Sequence, residues 1–248
     1  MKWLVAAILA AFLVYILYDE FKGEAPLPSF RRKRLCDYYV GGSTQPSAIQ
    51  KGIRLLEAHV YSDERDQPVV STKIQSDSLN FADENVSFEQ VCIDIVNDAF
   101  PSEEPFILAI VSHTDKSVTL NRVAYHLKTI ARKFLTEEKD LEDARFDQLA
   151  NKLIVVSGGT IHGTDLEPLL NMSWSNSNLQ RLTHQQALHP RDSKELASFN
   201  RDFITLVGPE PELKTISVNP DMPFAYGCQW NVMSEEPLHF TEKSYLTR

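Results

Sequence analysis

"EEPFILAIVSHTDKSVTLNRVAYHLKTIARKFL", Glu103 to Leu135, decides the fold class. Its first part, "PFILAIVS", is a short apolar run without polar alternation, the pattern of a strand covered on both faces. Its second part puts Leu120, Val123, Ala124, Leu127, Ile130, Ala131 and Phe134 on one helical stripe and leaves His126 off it, toward solvent. A buried strand running straight into an amphipathic helix is the unit from which α/β domains are built.

The same alternation extends to either side. "YYVGG", "IRLLEAHV", "QPVVS" and "KLIVVSGG" read as further buried parallel strands. "SFEQVCIDIVNDAF" reads as a helix opened by a capping box of Ser87 and Gln90, with Phe88, Val91, Cys92, Ile95, Val96 and Ala99 facing inward. Strands alternating with helices over about 200 residues predict a (β/α) barrel or a doubly wound sheet.

Composition agrees with a globular domain. The chain has 248 residues, 43% of them hydrophobic, and its net charge of −9 argues against a nucleic-acid binder, which needs a concentrated basic surface. Cys36, Cys92 and Cys228 are too few and too far apart for a disulfide framework or a paired-cysteine zinc site, so they are expected as buried thiols. Glycosylation triplets occur at Asn85 and Asn171.

The N-terminus carries a different signal. "WLVAAILAAFLVYILY", Trp3 to Tyr18, holds no charge and would span about 24 Å as a helix at ~1.5 Å per residue. The following "YDEFKGE" offers no small-x-small cleavage site, which favours an uncleaved anchor over a signal peptide. Lys22 and Arg31, Arg32, Lys33 and Arg34 follow the run, so the positive-inside rule places the C-terminal domain in the cytosol. That basic cluster suits a stop-transfer flank or a seat on anionic headgroups. The expected layout is an anchor at 1–21, a basic proline-containing linker at 22–35, the α/β domain at 36–240 and a tail at 241–248.

Five segments in order, "AIQKGIRLLEAHVYSDERDQPVV", the opening stretch, "QLANKLIVVSGG", "FNRDFITLVGP" and "YGCQWNVMSEEP", resemble the catalytic barrel of phosphoinositide-specific phospholipase C, as its strands two, four, five, seven and eight. The resemblance implies a distorted TIM-type (β/α)8 barrel over 36–240. It also implies which residues should carry chemistry. The family's first catalytic histidine, after strand one, corresponds to Thr44, and its second, after strand three, to Thr72. A threonine hydroxyl has no protonation step near neutral pH, so general acid catalysis is lost there. Of the family's calcium carboxylates, Glu57 is kept, His59 stands for an aspartate, and Val111 replaces another acid next to Ser112 and His113. One carboxylate beside imidazoles is a poor site for a hard cation. Headgroup-binding cations are replaced by Ser157, Gly159 and Leu206.

What remains could still support new chemistry: Glu57, His59 and His113 gather at the expected barrel mouth, as an acid/base group or a transition-metal site. "SGGTIHGTD" lacks the lysine of a nucleotide loop and reads as a surface connection; His184 and His189, five apart, read as solvated. The sequence therefore predicts an inactive, membrane-anchored phospholipase C-like barrel without cofactor. Its partners are a bilayer through residues 3–18 and unidentified proteins, in a cell-side complex or the membrane-proximal layer of a lipid-lined virus particle. The alternative is a phosphodiesterase or metal-site hydrolase built on Glu57, His59 and His113.

Overall fold

The computed structural model describes residues 33–71, 85–139, 141–159, 161–176, 178–209, 224–232 and 239–243. The apolar run at 3–18 and Thr72 lie outside them. Among the described residues no helix is long and apolar enough to cross a membrane.

In chain order the strands are β1 (Tyr38–Gly42), β2 (Leu55–Ser62), β3 (Pro68–Val70), β4 (Val86–Ser87), β5 (Phe106–Ser112) and β6 (Leu153–Ser157). Then come β7 (Met172–Ser173), β8 (Leu179–Thr183), β9 (Ile204–Gly208), β10 (Trp230–Val232) and β11 (Thr241–Glu242). The helices are α1 (Phe88–Asp98), α2 (Ser117–Ile130), α3 (His184–Leu188) and α4 (Ser193–Asp202). Two sheets form, ordered β11-β1-β10-β9-β8 and β4-β3-β2-β5-β6-β7. A parallel bridge between Ser43 and Leu56 joins them, with Ser43 N–H donating to Leu55 O at 3.1 Å and Glu57 N–H to Ser43 O at 3.0 Å. The result is a barrel-like run of eight parallel strands, β1, β2 and β5 to β10, with no ladder recorded between β7 and β8.

Side chains on these strands are buried on both faces, and alternation decides which core each enters. Leu56, Ala58, Val60, Leu108, Ile110, Leu153 and Val155 pack outward against Phe88, Val91, Cys92 and Ile95 of α1 and Leu120, Val123, Ala124 and Leu127 of α2. Leu55, Ile107, Ala109, Ile154, Val156, Leu179, Ile204, Leu206, Trp230 and Val232 fill the interior. Ser87 caps α1, its hydroxyl accepting from Gln90 N–H at 3.1 Å.

Four expectations change. "QPVVS" is not a parallel strand: β3 pairs antiparallel with β2 through Val60↔Val70, so "PFILAIVS" becomes the third parallel strand and not the fourth. β7, β8 and α4 lie in polar sequence that gave no expectation of regular structure. His184 is buried, with its Nε2 3.0 Å from the carbonyl of Val232, whereas His189 is exposed. Thr241–Glu242, in the stretch read as tail, pair with β1, and Leu35 at the linker end is fully buried.

All three cysteines are free and buried, and burial pushes their thiols up to about 11 for Cys36 and Cys228 and about 12 for Cys92. Asn171 is buried too. Its Oδ1 accepts from Val155 N–H at 2.8 Å, and its Nδ2 donates to the carbonyls of Thr136 at 2.9 Å and Glu138 at 2.7 Å. A glycan on that nitrogen would remove donors and force the segment open. Expression in a secretory compartment is expected to leave Asn171 unmodified in folded protein even if Asn85 is glycosylated; peptide mass spectrometry showing a glycan on Asn171 of natively folded material would contradict this.

Candidate functional site

Residues 55, 57, 59 and 61 of β2 share one face, so a single strand carries Glu57 and His59 to the C-terminal end of the barrel interior, beyond Leu55. The neighbouring β5, in register at His59↔Val111, adds Val111 and, just after its end, His113. The third contributor is Arg181, from the middle of β8. β8 and β2 belong to different sheets and are not hydrogen-bonded neighbours, so Arg181 reaches Glu57 across the interior.

The contact is a two-pronged ion pair. Arg181 donates from Nε to Glu57 Oε2 and from Nη2 to Oε1, both at 3.0 Å, with Nη2 also 3.4 Å from the carbonyl of Pro209. Glu57 has no exposed surface. Its Oε1 accepts again from His59 Nε2 at 2.9 Å, and His59 Nδ1 lies 2.8 Å from His113 Nε2. Because a carboxylate only accepts, His59 carries its proton on Nε2; in a neutral pair its Nδ1 then accepts from His113 Nε2–H. His113 stacks on Tyr61, centroids 4.4 Å apart and planes at 4°.

Charge follows this geometry. Burial works to raise the Glu57 pKa, but the His59 hydrogen bond and the Arg181 pair outweigh it and hold the carboxyl below its ordinary value. His113 is pushed down to about 4, first by desolvation and then by His59, with Glu57 opposing. The downward shift leaves it neutral at pH 7.

Two glycines at the ends of β6 and β9 leave no room for a side chain. A Cβ on Gly208 would stand 2.5 Å from Arg181 Nη2 and 2.6 Å from Glu57 Oε2. One on Gly158 would meet the indole nitrogen of Trp174 at 2.1 Å. The glycines let two side chains pack directly over backbone.

The other positions singled out from sequence are placed as follows. Thr44 lies half-buried after β1, Val111 lines the mouth, and Leu206 is an interior core residue. Ser157 is buried and donates to Ile110 O at 2.7 Å. Gly159 is exposed at φ 74°, its N–H donating to Ser175 Oγ at 2.9 Å. Together with Lys139, Ile161, His162 and Asn171, it borders a cavity of about 300 Å³ beside β7. Arg181 was missed. No periodic signal marked it, since the apolar residues of "LQRLT", Leu179 and Leu182, are three apart; only the strand itself puts Arg181 on the interior row with Leu179.

Calcium, implied by the family resemblance, does not fit these residues. Both oxygens of Glu57 are already bound by Arg181, one of them also by His59, and the residue of β5 in register with His59 is Val111, which offers no oxygen ligand from its side chain. A transition metal fares no better, since the two ring nitrogens of His59 face opposite partners and do not converge. Among the described residues no three His, Cys, Asp or Glu side chains form a metal-ligand group.

No protein-family model matches the chain, and no curated protein matches it either. Solved structures do. PLC21 of S. officinalis aligns with TM-score 0.66 at 14% identity over 82% of this chain and 34% of its own, and PLC21 of L. pealei gives the same values. The chain thus spans about a third of those proteins' length. A calcium-dependent phosphoinositol-specific phospholipase C from the Gram-negative bacterium Pseudomonas sp. aligns with TM-score 0.54 at 11% identity over 84% of this chain and 94% of its own.

Proposed function

We propose that this chain, which has the fold of the phospholipase C-like phosphodiesterases, is a membrane-tethered binding scaffold and not a hydrolase. The observation that carries the reading is the Arg181–Glu57 pair. Glu57, the buried carboxylate on the interior face of β2, is neutralised by an internal cation, and the pair leaves no room even for a Cβ on Gly208 beside it. A buried carboxylate clamped by a guanidinium neither takes up a proton near neutral pH nor coordinates a cation, so it supplies no general base and no metal site. What it does supply is a second tie between the two sheets, from β8 to the residue of β2 whose N–H already bonds Ser43 O. Function then belongs to the surface. The membrane part of the reading rests on the uncharged run Trp3 to Tyr18.

Purified full-length chain is expected to release no product from phosphatidylinositol, its bisphosphate or a glycerophosphodiester, with calcium or with chelator, and to show no calcium-binding heat. Turnover above a heat-inactivated control that is lost in His113→Asn would replace this reading with one in which Glu57, His59 and His113 relay a proton. Calcium-dependent turnover lost in Glu57→Gln would restore the metal-dependent reaction.

A further inference from the structure

We propose that the outward face of α2 docks onto an anionic bilayer surface, a partner that deepens the membrane-scaffold reading and rests on it. The inward stripe of α2 is Thr119, Leu120, Val123, Ala124 and Leu127. The opposite line runs Val118, Arg122, Tyr125 and Thr129, spaced four, three and four residues apart, so these side chains lie over one another on the helix surface. Val118 is 51% exposed and Tyr125 62%; among the described residues the only other large hydrophobic side chain so exposed is Tyr226.

Charge is segregated along the same element. From Lys116 to Lys133 the sequence carries Lys116, Arg122, Lys128, Arg132 and Lys133 and no acidic residue, in a chain whose net charge is −9. Lys116 is neutralised by Asp66 at 2.7 Å. Arg122 donates to the carbonyl of Arg65 at 2.6 Å and shares the field of Asp66 with Lys116, so the unpaired positive charge lies further along the helix. Lys128, Arg132 and Lys133 are exposed, and Lys133 lies over the ring of Phe134. The neighbouring α1 holds acidic Glu89, Asp94 and Asp98 and no basic residue, so it does not continue this positive charge. The helix dipole accounts for a cation in the last turn but not for an exposed tyrosine and valine aligned between cations.

The chemistry selects lipid over an acidic protein. Two apolar side chains seven residues apart on a convex helix present no groove, and a protein partner would need a broad complementary area. A bilayer needs none: Tyr125 can bury its ring at headgroup level with its hydroxyl in water while Lys128, Arg132 and Lys133 meet lipid phosphates and carboxylates.

The test uses the full chain with Thr129→Cys carrying an environment-sensitive fluorophore, Cys36, Cys92 and Cys228 being buried. It is mixed with phosphatidylcholine vesicles made with or without phosphatidylserine. Flotation with pure phosphatidylcholine reads the 3–18 tether; the probe reads the helix. The expected result is a blue shift on phosphatidylserine vesicles alone, reversed by salt. The triple variant Lys128→Glu/Arg132→Glu/Lys133→Glu should weaken its lipid dependence by about tenfold or more. Val118→Ser/Tyr125→Ser, which keeps every charge, should lose the shift while retaining the native melting curve. Equal probe signals on both vesicle types, or a shift produced without lipid by a second copy of the chain or by an acidic protein, would overturn the docking assignment. Absence of flotation on phosphatidylcholine would count against the tether and leave the phosphatidylserine-dependent shift as a separate result.

Discussion

Arg181→Met is expected to destabilise the domain by about 3 to 5 kcal/mol at pH 7 and to reverse how its stability responds to acid. Methionine occupies similar length without charge, leaving the carboxylate of Glu57 buried with only His59 as partner. In the native chain Glu57 titrates below its ordinary value, so its contribution is complete above the unfolded carboxylate pKa of about 4.3 and is lost as pH falls through the lower folded value. Without Arg181 the desolvation that already opposes ionisation prevails, and the folded pKa rises above the unfolded one. Stability is then present below the unfolded pKa and lost as pH rises through the folded pKa. Urea unfolding at pH 7 and pH 5 should therefore show little change in the native chain and a gain on acidification in the variant. Glu57→Gln/Arg181→Met should recover much of the loss, because no buried charge remains. A loss below about 1 kcal/mol, or the same pH response in both proteins, would show that the pair does not hold the sheets together.

A second buried arginine gives a control at the opposite end of β2. Arg54 has no exposed surface; it donates from Nε to Glu104 at 2.9 Å, from Nη1 to the carbonyls of Ile53 at 3.1 Å and Ala99 at 3.2 Å, and from Nη2 to Ser102 Oγ at 2.9 Å. It thereby ties the end of α1 to the start of β2. Arg54→Met is expected to cost about 2 to 4 kcal/mol, less than Arg181→Met. Glu104 reaches solvent in part and keeps Ser102 at 2.8 Å and His239 at 2.6 Å, so its charge is not abandoned. Denaturant midpoints of the two variants, measured at low and high salt, test this ranking. The native pairs are shielded from mobile ions, so a loss that vanishes in high salt would place Arg54 at the surface and count against the arrangement.

These two arginines mark where sequence reading stops. Apolar period alone distinguished β2, β5 and β6 from α1 and α2, because hydrophobic burial acts on each segment through its local repeat. It also brought Glu57, His59 and His113 to one end of the barrel, since residues two apart on a strand share a face and adjacent parallel strands end together. The polar stretch from Trp174 to Asp202 gave no such signal: β8 contributes one interior apolar residue, Leu179, and α4 is announced only by Asp192, whose carboxylate accepts from Lys194 and Glu195 N–H. "QPVVS" misled for a related reason, as three apolar residues have too short a period to fix strand direction.

The pairing of Glu57 with Arg181 had no sequence signature at all. The residues are 124 positions apart on strands that share no ladder, and an arginine in polar sequence is ordinarily a solvated one. Local pattern was enough for the α/β alternation and the apolar N-terminal run, because each is written in consecutive residues. The partner of Glu57 was settled by the fold alone, because whether a charge is exposed or buried depends on which strands close over it, and that closure packs Arg181 and Glu57 together beside Gly208, where a Cβ would not fit.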